Sequence, residues 1–170
     1  AICIHCEGKF ESITEQREEG ALSLFEYNEA MKDYMHRYKF MHDVVLARVF
    51  ARQIHEALKH ETAIIVPIPM HPENLKKRTF AHIDEMLIQA QIPFEHYLEK
   101  ITTLTQVGKN RAERLQSEPL FQLLEHQEIS ENRFVIVDDI YTTGTTIRHA
   151  TKVLKSAGAI QVEAFTLIHG

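Results

Sequence analysis

The residues best suited to chemistry in this sequence lie in residues 137–146, where two adjacent acids precede a glycine surrounded by threonines. The segment reads V-D-D-I-Y-T-T-G-T-T and separates an apolar run typical of a buried strand from a helical pattern. Backbone amides at a glycine-containing turn that opens a helix favour a bound anion, and the helix dipole adds to that preference. Four threonines around Gly144 add hydroxyl donors, namely Thr142, Thr143, Thr145 and Thr146. The segment therefore predicts a phosphate-binding loop.

The two acids of this segment, Asp138 and Asp139, predict a second function at the same place. Carboxylates accept hydrogen bonds from vicinal sugar hydroxyls, and they bind a hard cation such as Mg²⁺ directly or through water. A structural alternative stays open, in which the acids cap a turn and the threonines satisfy the amides at the helix N-terminus. The sequence contains no Gly-Lys-Ser or Gly-Lys-Thr, so an ATPase with a P-loop is not supported.

Hydrophobic periodicity predicts alternating strands and helices, which is typical of an α/β fold with a mainly parallel sheet flanked by helices. The predicted strands are residues 22–27, 63–68, 134–137 and 162–168, with a weaker strand near 94–101. The predicted helices are residues 28–59 with a break near His42 and Asp43, a helix that carries Ile83, Met86, Leu87 and Ala90, and residues 145–157. A loop is predicted between Pro69 and the second of these helices. Ligands of such sheets bind at the carboxyl ends of the strands, where the phosphate-binding loop is predicted.

The composition is that of an ordinary globular domain. Hydrophobic residues make up 44% of the chain and charged residues 25%, and the formal net charge is −5. No apolar run approaches the roughly 20 residues that a membrane-spanning helix needs, so we expect no membrane span. The N-terminus carries no basic and apolar leader and the chain has two cysteines, which favours a cytoplasmic location. We expect residues 1–20 to form a small appendage and residues 21–170 the main domain.

Two basic clusters follow predicted strands. One contains Lys76, Lys77 and Arg78, and the other contains Lys109, Arg111 and Arg114. The second cluster lies in a polar stretch, residues 102–118, that has few large apolar side chains and is expected to be a mobile loop. The clusters fit opposite walls of an anion site, although solvated surface charge is the simpler interpretation and a groove for DNA phosphates is a third.

The N-terminal segment contains a possible half of a metal site. Cys3 and Cys6 form a C-x-x-C knuckle, whereas a structural Zn²⁺ takes four ligands in a tetrahedron. His5 lies between the two cysteines and is a strained third ligand, so a pair of free thiols is an equal alternative.

The acidic pair followed by Thr143-Gly144-Thr145-Thr146 resembles the phosphoribosyl pyrophosphate (PRPP) signature of type I phosphoribosyltransferases. Further motifs resemble the ComF family, the ComFC-type competence proteins of bacterial DNA uptake. These motifs are V-P-I-P at residues 66–69 with Arg78 and Phe80 behind it, Thr105-Gln106 followed by Arg111 and Arg114, and Cys3-x-x-Cys6. Their order and spacing hold from Cys3 to the C-terminus.

The resemblance implies a type I phosphoribosyltransferase-like fold with a zinc-knuckle-like appendage, and it implies a role for each motif. Residues 142–146 would bind the 5′-phosphate of PRPP or of a nucleotide, and Asp138 and Asp139 would be catalytic residues that hold the ribose hydroxyls and Mg²⁺. The first basic cluster, with Lys76, Lys77 and Arg78, would face the pyrophosphate. The loop that carries the second cluster would close over the pyrophosphate. A second cysteine pair, usual in the family and missing from this chain, would complete a structural Zn²⁺ site with Cys3 and Cys6.

Two departures from the family patterns limit what the resemblance implies. ComF proteins usually read Arg-Gly-Phe-Asn-Gln where this chain has Arg78-Thr79-Phe80-Ala81-His82, so a glycine and two amide side chains are lost on the pyrophosphate side. The 6-oxopurine enzymes carry an aspartate where this loop has Thr142, and that aspartate is their general acid and base. Thr142 cannot replace it at neutral pH, so hypoxanthine and guanine salvage is not expected.

The resemblance thus predicts a cytoplasmic ComF-type phosphoribosyltransferase-fold protein that binds PRPP with Mg²⁺ and serves competence and natural transformation. The alternative is a catalytically inactive module of the same fold that binds single-stranded DNA or other competence proteins of the uptake machinery. The sequence identifies no pocket for an acceptor base, so it favours the fold over the reaction.

Overall fold

The computed structural model describes residues 8–13, 17–18, 21–41, 43–101, 120–129 and 132–170. Its strands are β1 (Arg17–Glu18), β2 (Ala21–Glu26), β3 (Ile64–Pro67), β4 (Leu98–Lys100), β5 (Phe121–Leu123), β6 (Arg133–Tyr141) and β7 (Gln161–His169). Five of them form one sheet in the order β1-β2-β7-β6-β3. The pairs β2–β7, β7–β6 and β6–β3 are parallel, whereas β1 is antiparallel to β2. The predicted α/β class with a mainly parallel sheet is therefore confirmed.

The helices are α1 (Glu29–Phe40), α2 (Ala51–Leu58), α3 (Pro72–Arg78), α4 (His82–Gln89) and α5 (Thr145–Ser156), with a 3₁₀ helix at Val44–Arg48 between α1 and α2. The side chain of Asn28 caps α1 by accepting the N–H of Met31 at 2.9 Å. Because α1 ends at Phe40 and the 3₁₀ helix begins at Val44, the break predicted near residues 42 and 43 is confirmed.

The helix predicted to carry Ile83, Met86, Leu87 and Ala90 is confirmed as α4, but the loop predicted between Pro69 and that helix is wrong, because α3 precedes α4 there. They are separated at Thr79, which follows α3 in the left-handed conformation with φ +67°. That conformation is uncommon for residues other than glycine, and it ends the helical hydrogen bonding at this point. The apolar positions named in the prediction are buried on or beside α4 alone, at Ile83, Met86, Leu87 and Ala90.

Two apolar clusters cover the two faces of the sheet. Val135 and Val137 of β6 belong to one cluster, together with buried residues of α1, α2 and α4. Phe134 and Ile136 belong to the other cluster, together with buried residues of α5, β4 and β5. Successive side chains of a strand point to opposite faces, so a strand buried on both sides shows the continuous apolar run that this segment has.

The strand predicted at residues 134–137 is too short. β6 extends from Arg133 to Tyr141, and its pairing with β7 includes Asp138 opposite Thr166 and Tyr141 opposite His169. The acidic pair therefore lies within the last part of the strand rather than in the loop after it. The backbone of both aspartates is held by the sheet, which gives their side chains defined directions.

β4 and β5 form a separate two-stranded antiparallel sheet, with Leu98 opposite Leu123 and Lys100 opposite Phe121. β4 lies within the strand predicted near residues 94–101 but is shorter. This pair brings together the two chain ends that flank residues 102–119, which include the predicted loop. Phe121 is buried in the same apolar cluster as Ile147 and Leu154 of α5, so the pair is fixed to that helix.

The described part of the N-terminal segment packs on the main domain. The Ile13 N–H donates to the Leu24 carbonyl at 2.9 Å, which places this stretch beside β2. The ring of Phe10 makes edge-to-face contacts with Phe25 and Phe50, with centroids 6.4 and 4.9 Å apart. Cys3 and Cys6 lie outside the described residues, so the zinc knuckle stays a prediction.

Candidate functional site

The predicted phosphate-binding loop lies between the carboxyl end of β6 and the first turn of α5. Gly144 precedes the helix with φ +67° and ψ 3°, and no side chain caps the first amides of α5. A Cβ atom on Gly144 would lie 2.6 Å from the Tyr141 hydroxyl oxygen, so the turn has neither the backbone conformation nor the space for another residue. Amides at a helix N-terminus that lack a side-chain acceptor are donors for an anion.

Arg148 holds this loop in shape from the first turn of α5. Its guanidinium donates to the Thr143 carbonyl oxygen at 2.7 Å and to Thr145 Oγ1 at 3.1 Å. The hydroxyls of Thr143 and Thr145 are 2.9 Å apart and share a hydrogen bond, while Thr142 and Thr143 are exposed. Arg148 was not among the residues predicted for the site, although its position four residues after Gly144 places it over the turn.

The carboxylates of the acidic pair lie on opposite faces of β6. Asp138 is half-buried, and its Oδ1 accepts the backbone N–H of Asp139 at 2.8 Å. Burial and the negative charge of Asp139 raise the pKa of Asp138 to about 7, against smaller opposing effects of that hydrogen bond, Lys39 and Lys100. Lys100 lies in β4, so the two-stranded sheet contributes a positive charge to this site. Asp138 is the member of the pair that is partly open to solvent.

Asp139 is buried, with 4% of its surface exposed, and two cationic or polar groups from helices surround it. His82 Nε2 donates to Asp139 Oδ2 at 2.8 Å, and the Lys39 ammonium contacts the same oxygen. Burial alone would raise the pKa of Asp139, but the hydrogen bond from His82 and the charge of Lys39 hold it well below its usual range. The Tyr38 hydroxyl donates to the His82 carbonyl at 2.6 Å and fixes the start of α4 against α1.

Neither Lys39 nor His82 was predicted as a site residue. His82 stands where the ComF pattern has a glutamine, and the sequence alone indicated only the loss of the amide. Lys39 is one of several charged residues of α1, and no local pattern connects it with an aspartate 100 residues later. Both contacts depend on how α1 and α4 pack on the sheet.

The first basic cluster lies in α3, which follows the carboxyl end of β3. Because Pro67 of β3 pairs with Val137 of β6, α3 begins near the sheet edge that carries Asp138. Lys76 is exposed, and the backbone of Lys77 and Arg78 continues the helix. The second cluster, Lys109, Arg111 and Arg114, lies outside the described residues.

The donor set fits a magnesium ion only in part. Mg²⁺ in phosphate sites is held by one or two carboxylates together with phosphate oxygens and water. Asp138 fits this role, whereas one carboxylate oxygen of Asp139, Oδ2, is already engaged by Lys39 and His82. Within the described ranges, no three His, Cys, Asp or Glu side chains are grouped so that they could hold a metal by themselves. The same part of the chain contains no helix that is long and apolar enough to span a membrane.

Curated relatives at the sequence level include two ComFC competence proteins. The chain is 37% identical over 147 residues to competence protein ComFC of Streptococcus pneumoniae and 31% identical over 153 residues to competence protein ComFC of Bacillus subtilis. Each match covers 86% of this chain, but 66% and 62% of the relatives, so the chain spans less than two thirds of their length. The resemblance to the ComF family predicted from the sequence is confirmed.

A solved structure shares the fold. Adenine phosphoribosyltransferase from Leishmania tarentolae is similar over 91% of this chain and 94% of its own, with a TM-score of 0.51 and 10% identity. The family model described as phosphoribosyl transferase domain matches residues 44–170, which include β3, β6, α5 and the site built on them. The type I phosphoribosyltransferase fold is confirmed, and the chain belongs to the phosphoribosyl transferase domain family.

Proposed function

We propose that this protein binds PRPP, or the 5′-phosphate of a nucleotide, together with Mg²⁺ at the carboxyl edge of β6. The observation that carries the proposal is the start of α5 at Gly144, where no side chain caps the helix and which follows the exposed Thr142 and Thr143 at the end of the strand that carries Asp138. In a ribose 5-phosphate group one carbon separates the sugar ring from the phosphate ester. A phosphate site at Gly144 and a hydroxyl acceptor at Asp138, six residues apart in the chain, therefore suit a single ligand of this kind.

In this proposal the loop at residues 142–146 binds the 5′-phosphate, and Asp138 accepts the ribose hydroxyls or binds the metal. Lys76, Lys77 and Arg78 lie on the helix after β3 and neutralise the pyrophosphate. Lys109, Arg111 and Arg114 approach the pyrophosphate from the segment between β4 and β5. A diphosphate carries several negative charges, so cations from two directions favour its binding and its departure.

The reaction we propose is the transfer of ribose 5-phosphate from PRPP to an acceptor. A nucleophile forms a bond to C1 of the ribose while the bond from C1 to the pyrophosphate oxygen breaks, and the pyrophosphate leaves with the electron pair. Bound Mg²⁺ would neutralise the leaving group. Thr142 supplies no general base, so an acceptor that is already nucleophilic suits this site better than a 6-oxopurine.

The biological setting we propose is competence, because both curated relatives named above are competence proteins. The protein would act in the cytoplasm, where incoming single-stranded DNA and PRPP are both accessible. Its zinc knuckle at Cys3 and Cys6 would bind Zn²⁺ with two further ligands.

Calorimetric titration with PRPP, in the presence of Mg²⁺ and of EDTA, tests the ligand. We expect binding that depends on Mg²⁺ and is lost in Asp138→Asn. Asp33→Asn is the control and should leave binding unchanged, because Asp33 is an exposed carboxylate of α1 that pairs with Arg37. Arg111→Ala and Arg114→Ala should weaken binding of PRPP more than binding of ribose 5-phosphate, which has no pyrophosphate. Equal affinity of Asp138→Asn and wild type would contradict the proposed site.

Single-stranded oligonucleotides with and without a 5′-phosphate separate this proposal from the binding module of the alternative. A phosphate site predicts that the 5′-phosphorylated strand competes with PRPP and that the unphosphorylated strand does not. Tight binding of the unphosphorylated strand without any binding of PRPP would contradict the proposal and would support a catalytically inactive module that binds single-stranded DNA.

A further inference from the structure

A pocket of about 500 Å³ lies between α1, the 3₁₀ helix and the described part of the N-terminal segment, and none of the candidate site residues lines it. Its apolar lining consists of Phe10, Ala30, Tyr34, Leu46 and Val49. Its charged rim consists of Lys9, Glu29, Asp33 and Arg37. Apolar and aromatic walls with a polar rim are typical of a pocket that receives an anchoring side chain at a protein interface.

Apolar side chains protrude from the surface beside this pocket. Eight large apolar side chains are exposed among the described residues, and four of them fall within residues 40–45, namely Phe40, Met41, Val44 and Val45. The Met41 N–H donates to the Arg37 carbonyl, so Met41 continues the helical side of α1 that lines the pocket. Val45 directly precedes Leu46 of the lining. The pocket and the protruding side chains therefore form one surface, which we call the α1 face.

The two ends of the α1 face carry opposite charges. The acids of the rim, Glu29 and Asp33, are paired with cations of α1 itself. Lys9 and Asp43 form no ion pair with any residue that the structure describes. The Asn28 side-chain amide donates to the Lys9 carbonyl, which places Lys9 at the start of α1, whereas Asp43 follows the end of the helix. The 12 residues of α1 separate the two charges by about 18 Å.

The α1 face is complementary to itself. It has a pocket and a positive charge toward the start of α1, and protruding apolar side chains and a negative charge at the other end. In a two-fold contact, residue i of one copy meets residue j of the other, and j meets i. A two-fold axis near the middle of the face would place Met41 and Val45 of each copy against the pocket of the other. It would also place Lys9 of each copy near Asp43 of the other.

We propose that the α1 face is a homodimer interface in which the α1 helices of two copies pack antiparallel. The occupant is a second copy of this chain, because the pocket, the protruding side chains and both charges find their complement in the same surface. The face follows a single helix, so the interface is at the lower end of the size range of specific contacts, and the dimer is reversible.

This proposal does not depend on the proposed ligand. Lys39, which contacts Asp139 of the candidate site, directly precedes the protruding side chains of the α1 face. The dimer would therefore hold the end of α1 that supports the candidate site.

Sedimentation equilibrium as a function of protein concentration tests the apolar part of the interface. We expect wild type to form a dimer and Val45→Glu to weaken it at least about tenfold, because a charged side chain would then face the apolar pocket of the other copy. Ile160→Glu is the matched control, because Ile160 is 59% exposed, close to the 65% of Val45, but lies between α5 and β7. A wild type that stays monomeric up to its highest soluble concentration would overturn the proposal, and so would Val45→Glu that dimerises as the control does.

Lys9→Glu and Asp43→Lys test the two-fold arrangement. Asp43 makes no side-chain capping bond to the 3₁₀ helix, so we expect both variants to keep the stability of wild type in urea denaturation. Each variant alone should weaken the dimer at least about threefold, because like charges would then meet at both ends of the interface. An equimolar mixture of the two variants should restore association, because each introduced charge then meets its opposite across the axis. Single variants that dimerise as wild type does, or a mixture no more associated than the single variants, would overturn the antiparallel arrangement.

Discussion

Replacing Gly144 by alanine should damage both the fold and the proposed phosphate site. The residue has φ +67°, and holding an L-residue in the left-handed region costs roughly 1–2 kcal/mol. The new Cβ would also lie 2.6 Å from the Tyr141 hydroxyl oxygen and 2.9 Å from its Cζ. The Tyr141 ring cannot move freely, because it is buried and stacked on His169, so the overpacking adds about 1–3 kcal/mol.

The expected loss in the free energy of unfolding is therefore about 2–5 kcal/mol. Urea denaturation measures it, and calorimetric titration with PRPP and Mg²⁺ measures the effect on binding. Gly158→Ala is the matched control, because Gly158 follows the other end of α5 with φ +115° and an added Cβ would meet the Ile129 carbonyl oxygen at 3.3 Å. This control should also lose stability, but in its folded state it should bind PRPP as wild type does.

Two results would refute the reasoning in different ways. A Gly144→Ala protein as stable as wild type would mean that the turn adapts and that its close contact with Tyr141 imposes no constraint. A destabilised Gly144→Ala protein with unchanged PRPP affinity would mean that the start of α5 does not hold the phosphate. The second result would also remove the observation on which the proposed function depends.

Two further predictions concern the acidic pair. Lys39→Met should lower the free energy of unfolding by about 3 kcal/mol or more because it leaves the buried carboxylate of Asp139 without its ammonium partner. Lys32→Met, which breaks the exposed pair with Glu29 on the same helix, should lower it by less than about 0.5 kcal/mol, and equal losses in urea denaturation would contradict the buried pairing. The pKa of Asp138 is raised from 3.8 to about 7, so between these two values the folded protein keeps a proton that the unfolded chain loses. Proton binding by Asp138 therefore stabilises the folded state in acid, and this stabilisation falls as the pH rises toward 7. Unfolding measured from about pH 4 to about pH 8 should show this fall in wild type and not in Asp138→Asn, and identical pH profiles would contradict the raised pKa.

The sequence predicted the elements whose signals are local. Gly144 with its threonines marks a strand-to-helix turn, and the apolar runs before it and at β3 have the length and β-branched content of buried parallel strands. The carboxyl ends of neighbouring parallel strands meet at one edge, so the pattern also predicted that the turn between β6 and α5 lies at that edge.

The errors occurred where distant residues decide the local structure. β6 continues through Asp138 and Asp139, although two adjacent acids are typical of a loop, because Lys39 and His82 neutralise one of them inside the protein. α3 forms at Pro72–Arg78, where a loop was predicted, because a segment with one large apolar side chain, Leu75, has no apolar stripe that would indicate a helix. Neither feature has a signal in the neighbouring sequence.

The antiparallel pairing of β4 with β5 has a consequence for the reach of the chain. β4 and β5 hold the two ends of residues 102–119 beside α5. The middle of this 18-residue segment is about nine residues from either end, so it can lie at most about 30 Å from the strand ends. In the proposed function, Arg111 and Arg114 would have to meet the pyrophosphate within that radius. A change in the length of this segment would therefore alter that radius, while Phe121 would keep the strand pair anchored to α5.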